Sequence, residues 1–143
     1  MKAPELAIAR WLSGKPVTLA SLRGKVVVLA FWSSYQPNSD RLFGRLGELD
    51  QRYRSRGLAT ISIVLPPWDE TYMRKLLSAA RPTYPVGLYD SRIGANRPRS
   101  SPLVKFTDAA GMSEMYIVDR KGFARPVSDY NKIDAEIEKA LAK

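Results

Sequence analysis

Residues 31–40, FWSSYQPNSD, follow an unbroken apolar run, Val26 to Trp32, and precede a helix-like pattern. Many small α/β domains keep their chemistry at such a junction, just beyond the carboxyl end of a strand. The stretch holds three serines, Tyr35, the amide of Gln36 and one carboxylate, Asp40. The chain contains neither Cys nor His. A serine nucleophile therefore lacks the imidazole that ordinarily takes its proton, and thiolate nucleophiles, disulfides, thiolate metal sites and haem attachment fall away within this chain. Zinc would have to rest on carboxylates alone. The remaining candidates are weak: GMSEM (111–115) matches a nucleophile elbow only in its Gly and Ser spacing, and SGKP (13–16) is too short for a phosphate loop. DAEIEK (134–139) places its carboxylates mainly on the exposed side of a helix, as solvating charges. No metal and no cofactor is expected.

The net charge of +9 raises nucleic acid or an anionic surface as a partner. The basic residues are nevertheless spread from Lys2 to Lys143. The densest run, RYRSRG (52–57), falls where a helix should end at Gly57, and cations are favoured there by the helix dipole. It reads as a solvated helix end. A second basic loop, SRIGANRPRSS (91–101), reads as an exposed connection.

The positioning elements follow from periodicity. KVVVLAFW (25–32) is a strand buried on both faces, because its apolar run does not alternate. Leu42, Leu46, Leu49 and Tyr53 recur at three and four residues and predict a helix, with Asn38, Ser39 or Asp40 as its N-cap. LATISIVL (58–65) is a second strand, stopped by Pro66 and Pro67. DETYMRKLLSAAR (69–81) is a second helix that ends before Pro82, and YPVGLYD (84–90) a short strand or extended segment. MYIVD, RKG and FARPV (115–127) predict a β-hairpin, and NKIDAEIEKALAK (131–143) a closing helix on Ile133, Ile137 and Leu141. A βαβ half with parallel strands is thus followed by a ββα half. One domain over 1–143 is expected, large enough to bury about 70% of the surface its unfolded chain exposes. Val26 to Trp32 is far short of the roughly 20 apolar residues that cross a bilayer, and Met1 to Leu12 lacks the pattern of a signal peptide. A soluble chain with no transmembrane segment is expected.

The order of elements, PVTLASLRGKVVVLAFWSSYQPNSD (16–40), YPVGLYD and MYIVDRKG together resemble the thioredoxin fold and, within it, the TlpA/ResA-like thiol-disulfide oxidoreductases of bacteria. The resemblance covers nearly the whole chain, about Pro4 to Leu141. Its most specific part is L-x-x-L-R-G-K-V-V-V-L-x-F-W at 19–32, which in that family leads into W-x-x-W-C-x-x-C. The fold it implies is a three-layer α/β/α sandwich with a central mixed sheet flanked by helices.

Aligned on that motif, Gln36 stands at the nucleophilic Cys and Ser39 at the resolving one, with Trp32, Tyr35, Pro37 and Asn38 around them. In the family a thiolate at a helix N-terminus attacks a substrate disulfide and is released by the second thiol. Neither an amide nor a serine hydroxyl can replace it. Two more departures agree: Ala30 stands where relatives often carry an acidic or polar side chain, and Ser113, beside Glu114, stands where the cis-proline is expected. A cis bond before a non-proline costs about 3 kcal/mol, so a trans bond is the default there; Pro98 or Pro102 is the alternative counterpart. The expected function is a redox-inactive module that binds a protein partner through the former active face: Trp32, Tyr35, Gln36, Pro37, Asn38, Ser39, Met112, Ser113 and Glu114. For Trp32 a supporting, partly buried role is an equal alternative. The alternative function is participation in thiol-disulfide exchange or cytochrome c maturation with thiols supplied by a partner. Anion or nucleic-acid binding through the basic loops and the helix N-terminus ranks third. By resemblance the setting is periplasmic or otherwise extracytoplasmic, with the cytoplasm as the alternative.

Overall fold

A computed structural model describes residues 2–33, 39–90, 114–127 and 129–143. The strands are β1 (Ile8–Ser13), β2 (Val26–Ser33), β3 (Leu58–Leu65), β4 (Val86–Tyr89), β5 (Glu114–Val118) and β6 (Ala124–Val127). The helices among these residues are α1 (Ser39–Tyr53), α2 (Glu70–Ala80) and α3 (Ile133–Leu141). The strands form one mixed sheet in the order β1-β4-β3-β2-β5-β6. β2, β3 and β4 are parallel, while β5, β6 and β1 are antiparallel to their neighbours.

The non-alternating run of β2 has its predicted consequence. Val26, Val28, Ala30 and Trp32 face the helices, whereas Val27, Leu29 and Phe31 face the opposite layer. The helix layer is built from Phe43, Leu46, Leu49 and Tyr53 of α1, Met73 and Leu76 of α2, and Ile133, Ile137 and Ala140 of α3. Among the described residues the other face is covered by the N-terminal segment, through Ala3, Ala7 and Leu19. Glu5 fastens that segment: its carboxylate accepts from the backbone N–H groups of Leu19 at 2.6 Å and Ala20 at 3.1 Å.

Local chemistry explains the boundaries. The carboxylate of Asp69 accepts the Tyr72 N–H and caps α2, which closes at Arg81 in a left-handed conformation (φ +46°) before Pro82. α1 passes into a 3-10 turn, Arg54–Arg56, ended by Gly57 at φ +104°, a backbone conformation that favours glycine. Between β5 and β6 the Asp119 carboxylate accepts the N–H groups of Lys121 and Phe123, both at 2.9 Å, and fixes the hairpin register.

Three differences from the sequence reading have physical causes. β1 was not expected. Its pairing with β4 is irregular between Ile8 and Arg10 and between Trp11 and Ser13, which breaks the alternation by which a strand is recognised. The cations of RYRSRG are more than a solvated helix end. Arg52 pairs with Asp134, Arg54 with Asp50, and Arg56 with Glu138. For the same reason the carboxylates of DAEIEK are not free solvating charges. Asp134 binds Arg45, Arg52 and the Tyr53 hydroxyl, and Glu136 binds Arg125. Periodicity assigns these groups to a surface but carries no information about which surfaces meet.

Candidate functional site

The site suggested by sequence lies where the sheet's β2 ends and α1 begins. Strand pairing sets Trp32 beside Val64, Ser33 beside Leu65, and Phe31 opposite Glu114. The end of β2, the first residue of α1 (Ser39) and the first residue of β5 (Glu114) therefore mark one end of the sheet. Topology brings together two stretches that are about 75 residues apart in sequence, as the proposed face requires. Tyr35, Gln36, Pro37, Asn38, Met112 and Ser113 lie outside the described residues, as do Pro98, Pro102 and the basic loop 91–101. Ser39 and Glu114 are placed by their backbone alone.

Of the two roles open to Trp32, the structure gives it support. The side chain is 1% exposed, so it cannot itself be a contact surface. Its ring meets Phe43 edge-on, with centroids 4.9 Å apart and planes at 89°, and Phe43 in turn stacks on Tyr84 at 6.1 Å. The indole Nε1–H donates to Ser62 Oγ at 2.6 Å in the buried interior. The Tyr84 hydroxyl donates to the Phe43 carbonyl at 3.1 Å. Burial, with the charge of Asp50 as a lesser cause, drives the Tyr84 phenol far above its ordinary range, so it stays a neutral donor. Trp32 of β2, Phe43 of α1 and Tyr84 before β4 thus form one buried aromatic cluster in which the Trp32 N–H and the Tyr84 hydroxyl are paired.

Ser62 escaped the sequence reading. Its signal was present: within LATISIVL, Thr60 and Ser62 share the parity of Leu58 and Val64, which puts two hydroxyls on the helix-facing side. Thr60 Oγ1 is buried without a partner. Ala30 is fully buried, pairs across β2–β3 with Ser62 and across β2–β5 with Met115, and supplies no proton-carrying group beneath the site.

Two cavities flank the helix layer. One, of about 420 Å³, lies between α1 and α2 and includes Gly44, Gly47, Ala79 and Ala80; the other, of about 250 Å³, lies between β1 and α2 around Trp11 and Trp68. Neither is lined by a residue of the sequence-predicted site. Among the described residues no cluster of acidic side chains could hold a metal ion, and no helix is long and apolar enough to cross a membrane.

A mixed sheet with this strand order, a helix leaving the end of a central parallel strand and a closing ββα unit define the thioredoxin-like fold. Solved structures agree. A thiol:disulfide interchange protein of the thioredoxin family from Chlorobium tepidum superposes with a TM-score of 0.72 at 17% identity, over 98% of this chain and 95% of that one. A thiol-disulfide isomerase from Corynebacterium glutamicum superposes with a TM-score of 0.75 at 17% identity, over 99% and 96%. At such identities the likeness establishes the fold. No family model matches the chain. In sequence, 70 residues (46% of the chain) are 39% identical to Protein DipZ of Mycobacterium tuberculosis, and equally to that of Mycobacterium bovis, a match that spans 10% of those proteins. The chain has the architecture of disulfide-exchange proteins and contains no cysteine with which to perform exchange.

Proposed function

We propose that this thioredoxin-like domain is redox-inactive and binds a protein partner through the face formed by Tyr35, Gln36, Pro37, Asn38, Ser39, Met112, Ser113 and Glu114, with Trp32 as its buried support. The observation that carries the reading is the pairing of this fold with a cysteine-free sequence. A thiol-disulfide exchange step needs a thiolate to attack and a second thiol to resolve the mixed disulfide, and the chain supplies neither. The motif resemblance places Gln36 and Ser39 at the lost sulfurs. An amide, a phenol and a proline on a rigid base suit recognition of an extended polypeptide, the substrate class of such faces. The proposed setting is extracytoplasmic.

The names of the structural neighbours favour one second reading, in which the domain assists thiol-disulfide exchange by presenting a polypeptide to a Cys-bearing partner; the sequence resemblance extends that role to cytochrome c maturation. Both readings require that the purified chain not reduce insulin disulfides above background, and turnover by the pure protein would overturn them. The distinguishing experiment is affinity capture from envelope and soluble fractions, with Tyr35→Ala/Gln36→Arg as the comparison. A partner retained by the parent chain and reduced at least about 10-fold by the variant, at an unchanged thermal midpoint, is the expected result. Equal capture by both chains would refute the assignment of this face.

A further inference from the structure

At the end of the sheet opposite the site, the turn before β2 and the β5–β6 hairpin meet. Gly24 N–H donates to the Arg120 carbonyl at 3.0 Å, and the Arg120 guanidinium donates back to the Gly24 carbonyl at 2.8 Å. Lys2 bridges to Phe123, and Ala3 N–H donates to the Gly122 carbonyl at 2.9 Å. The Arg23 side chain lies across Gly122, in the space that a Cβ there would need. The Arg120 guanidinium also donates to the Leu141 carbonyl at 3.0 Å and so serves to tie these turns together. Four exposed cations, Lys2, Arg23, Lys25 and Lys121, thereby lie on the segments that meet at Phe123, which is 50% exposed, the most of any large hydrophobic side chain described.

The exposed cations of this end lack the carboxylate partners that several arginines elsewhere have. Arg10, Arg45, Arg52, Arg54, Arg56 and Arg125 each have a carboxylate partner. Among the described residues none of Lys2, Arg23, Lys25 and Lys121 has one. The nearby carboxylates accept from backbone N–H groups, Glu5 from Leu19 and Ala20, Asp119 from Lys121 and Phe123, and form no ion pair with these four cations. Like charges held together by the fold raise its energy unless an anionic surface meets them. The surface is made of turns, and none of these residues lines either cavity. That shape suits a planar array of phosphates with one aromatic side chain entering the headgroup boundary, where each basic residue and the buried ring add to the attraction.

We infer that this end of the molecule, Lys2, Arg23, Lys25 and Lys121 with Phe123, docks the protein on an anionic phospholipid surface. The inference is independent of the redox-face reading. Its test is co-sedimentation of the full chain with vesicles of phosphatidylcholine alone and of an equal mixture of phosphatidylcholine and phosphatidylglycerol, in dilute buffer and with added salt. Binding should require phosphatidylglycerol and weaken with salt. Arg23→Glu/Lys25→Glu/Lys121→Glu should lower partitioning about 100-fold or more, and Phe123→Ser about 10-fold. The set Arg23→Gln/Lys25→Gln/Lys121→Gln keeps the test valid if charge reversal disturbs the turn. Arg74→Glu/Lys75→Glu on the exposed side of α2 should change partitioning by no more than about 3-fold, because those charges are not part of the patch. No binding to the anionic vesicles, or an equal loss from the α2 control, overturns the inference. So does retention on single-stranded DNA that the patch variants abolish while vesicles are not bound, which would assign the surface to nucleic acid.

Discussion

Trp32 lies beneath the face proposed for a protein partner and can only support it. Its indole is buried against Phe43 and its N–H is matched to Ser62 Oγ. Removing either partner leaves a buried polar group unpaired, which costs about 1–3 kcal/mol. Trp32→Phe adds the loss of packed volume, so its destabilisation should lie toward the upper end of that range. Ser62→Ala should fall nearer the lower end, and the double variant should be less destabilised than the two losses added together, by about 1 kcal/mol. Urea unfolding with unchanged m-values checks this, and strict additivity would show that the hydrogen bond contributes nothing to the seat.

At the scale of elements, α3 is locked to α1 by charge as well as by its apolar stripe. The Asp134 carboxylate accepts from the Tyr53 hydroxyl and from Arg52, both at 2.9 Å, and also pairs with Arg45. Burial alone would raise its pKa; the hydrogen bonds from Arg45 and Tyr53 and the charges of Arg45 and Arg52 outweigh burial and hold it below the ordinary value. A carboxyl depressed in the folded state contributes stability that is present above its unfolded pKa, about 3.9, and is lost as pH falls through the folded value. Glu138 is depressed by its hydrogen bonds from Arg56 and acts in the same direction. Asp134→Asn should therefore cost about 1 kcal/mol at pH 7, a figure kept small because the side chain is 30% exposed. It should also flatten the loss of stability expected of the parent chain as pH falls from about 5 to 3; parallel pH profiles would exclude the role. These contacts mark what the sequence could not convey. The buried run of β2, the amphipathic stripe of α1 and the hairpin turn are local patterns, and each was legible. The partners of Arg52, Arg56 and Asp134 depend on how two helices distant in sequence are set side by side, and the bulged pairing of β1 hides its period. The reading of Gln36 and Ser39 as lost thiols rests on the motif LRGKVVVLAFW, which sets the alignment around them. Ser62 was written in the parity of β3, but only the fold shows that Trp32 lies opposite.

The whole molecule is a parallel-centred sheet with different chemistry at its two ends. The carboxyl ends of β2 and β3 carry the face proposed for a protein partner, and the amino ends, with the β5–β6 turn, carry Phe123 and cations that have no carboxylate partner among the described residues. β2 and β3 each contain eight residues, so about 25 Å of close-packed sheet separates the ends. That exceeds the roughly 8 Å over which exposed charges interact at physiological ionic strength. The two binding events should then be energetically independent, since sites that share no contact contribute additively. A chain bound to vesicles of phosphatidylcholine and phosphatidylglycerol should capture its protein partner with the same affinity as the free chain. Arg23→Glu/Lys25→Glu/Lys121→Glu should lose the vesicles and keep the partner, and Tyr35→Ala/Gln36→Arg should do the reverse. Paired sedimentation and capture measurements on the two variants check this directly. If one substitution set weakens both events, the two ends belong to a single extended interface and the division of the molecule into a docking end and a recognition end is wrong.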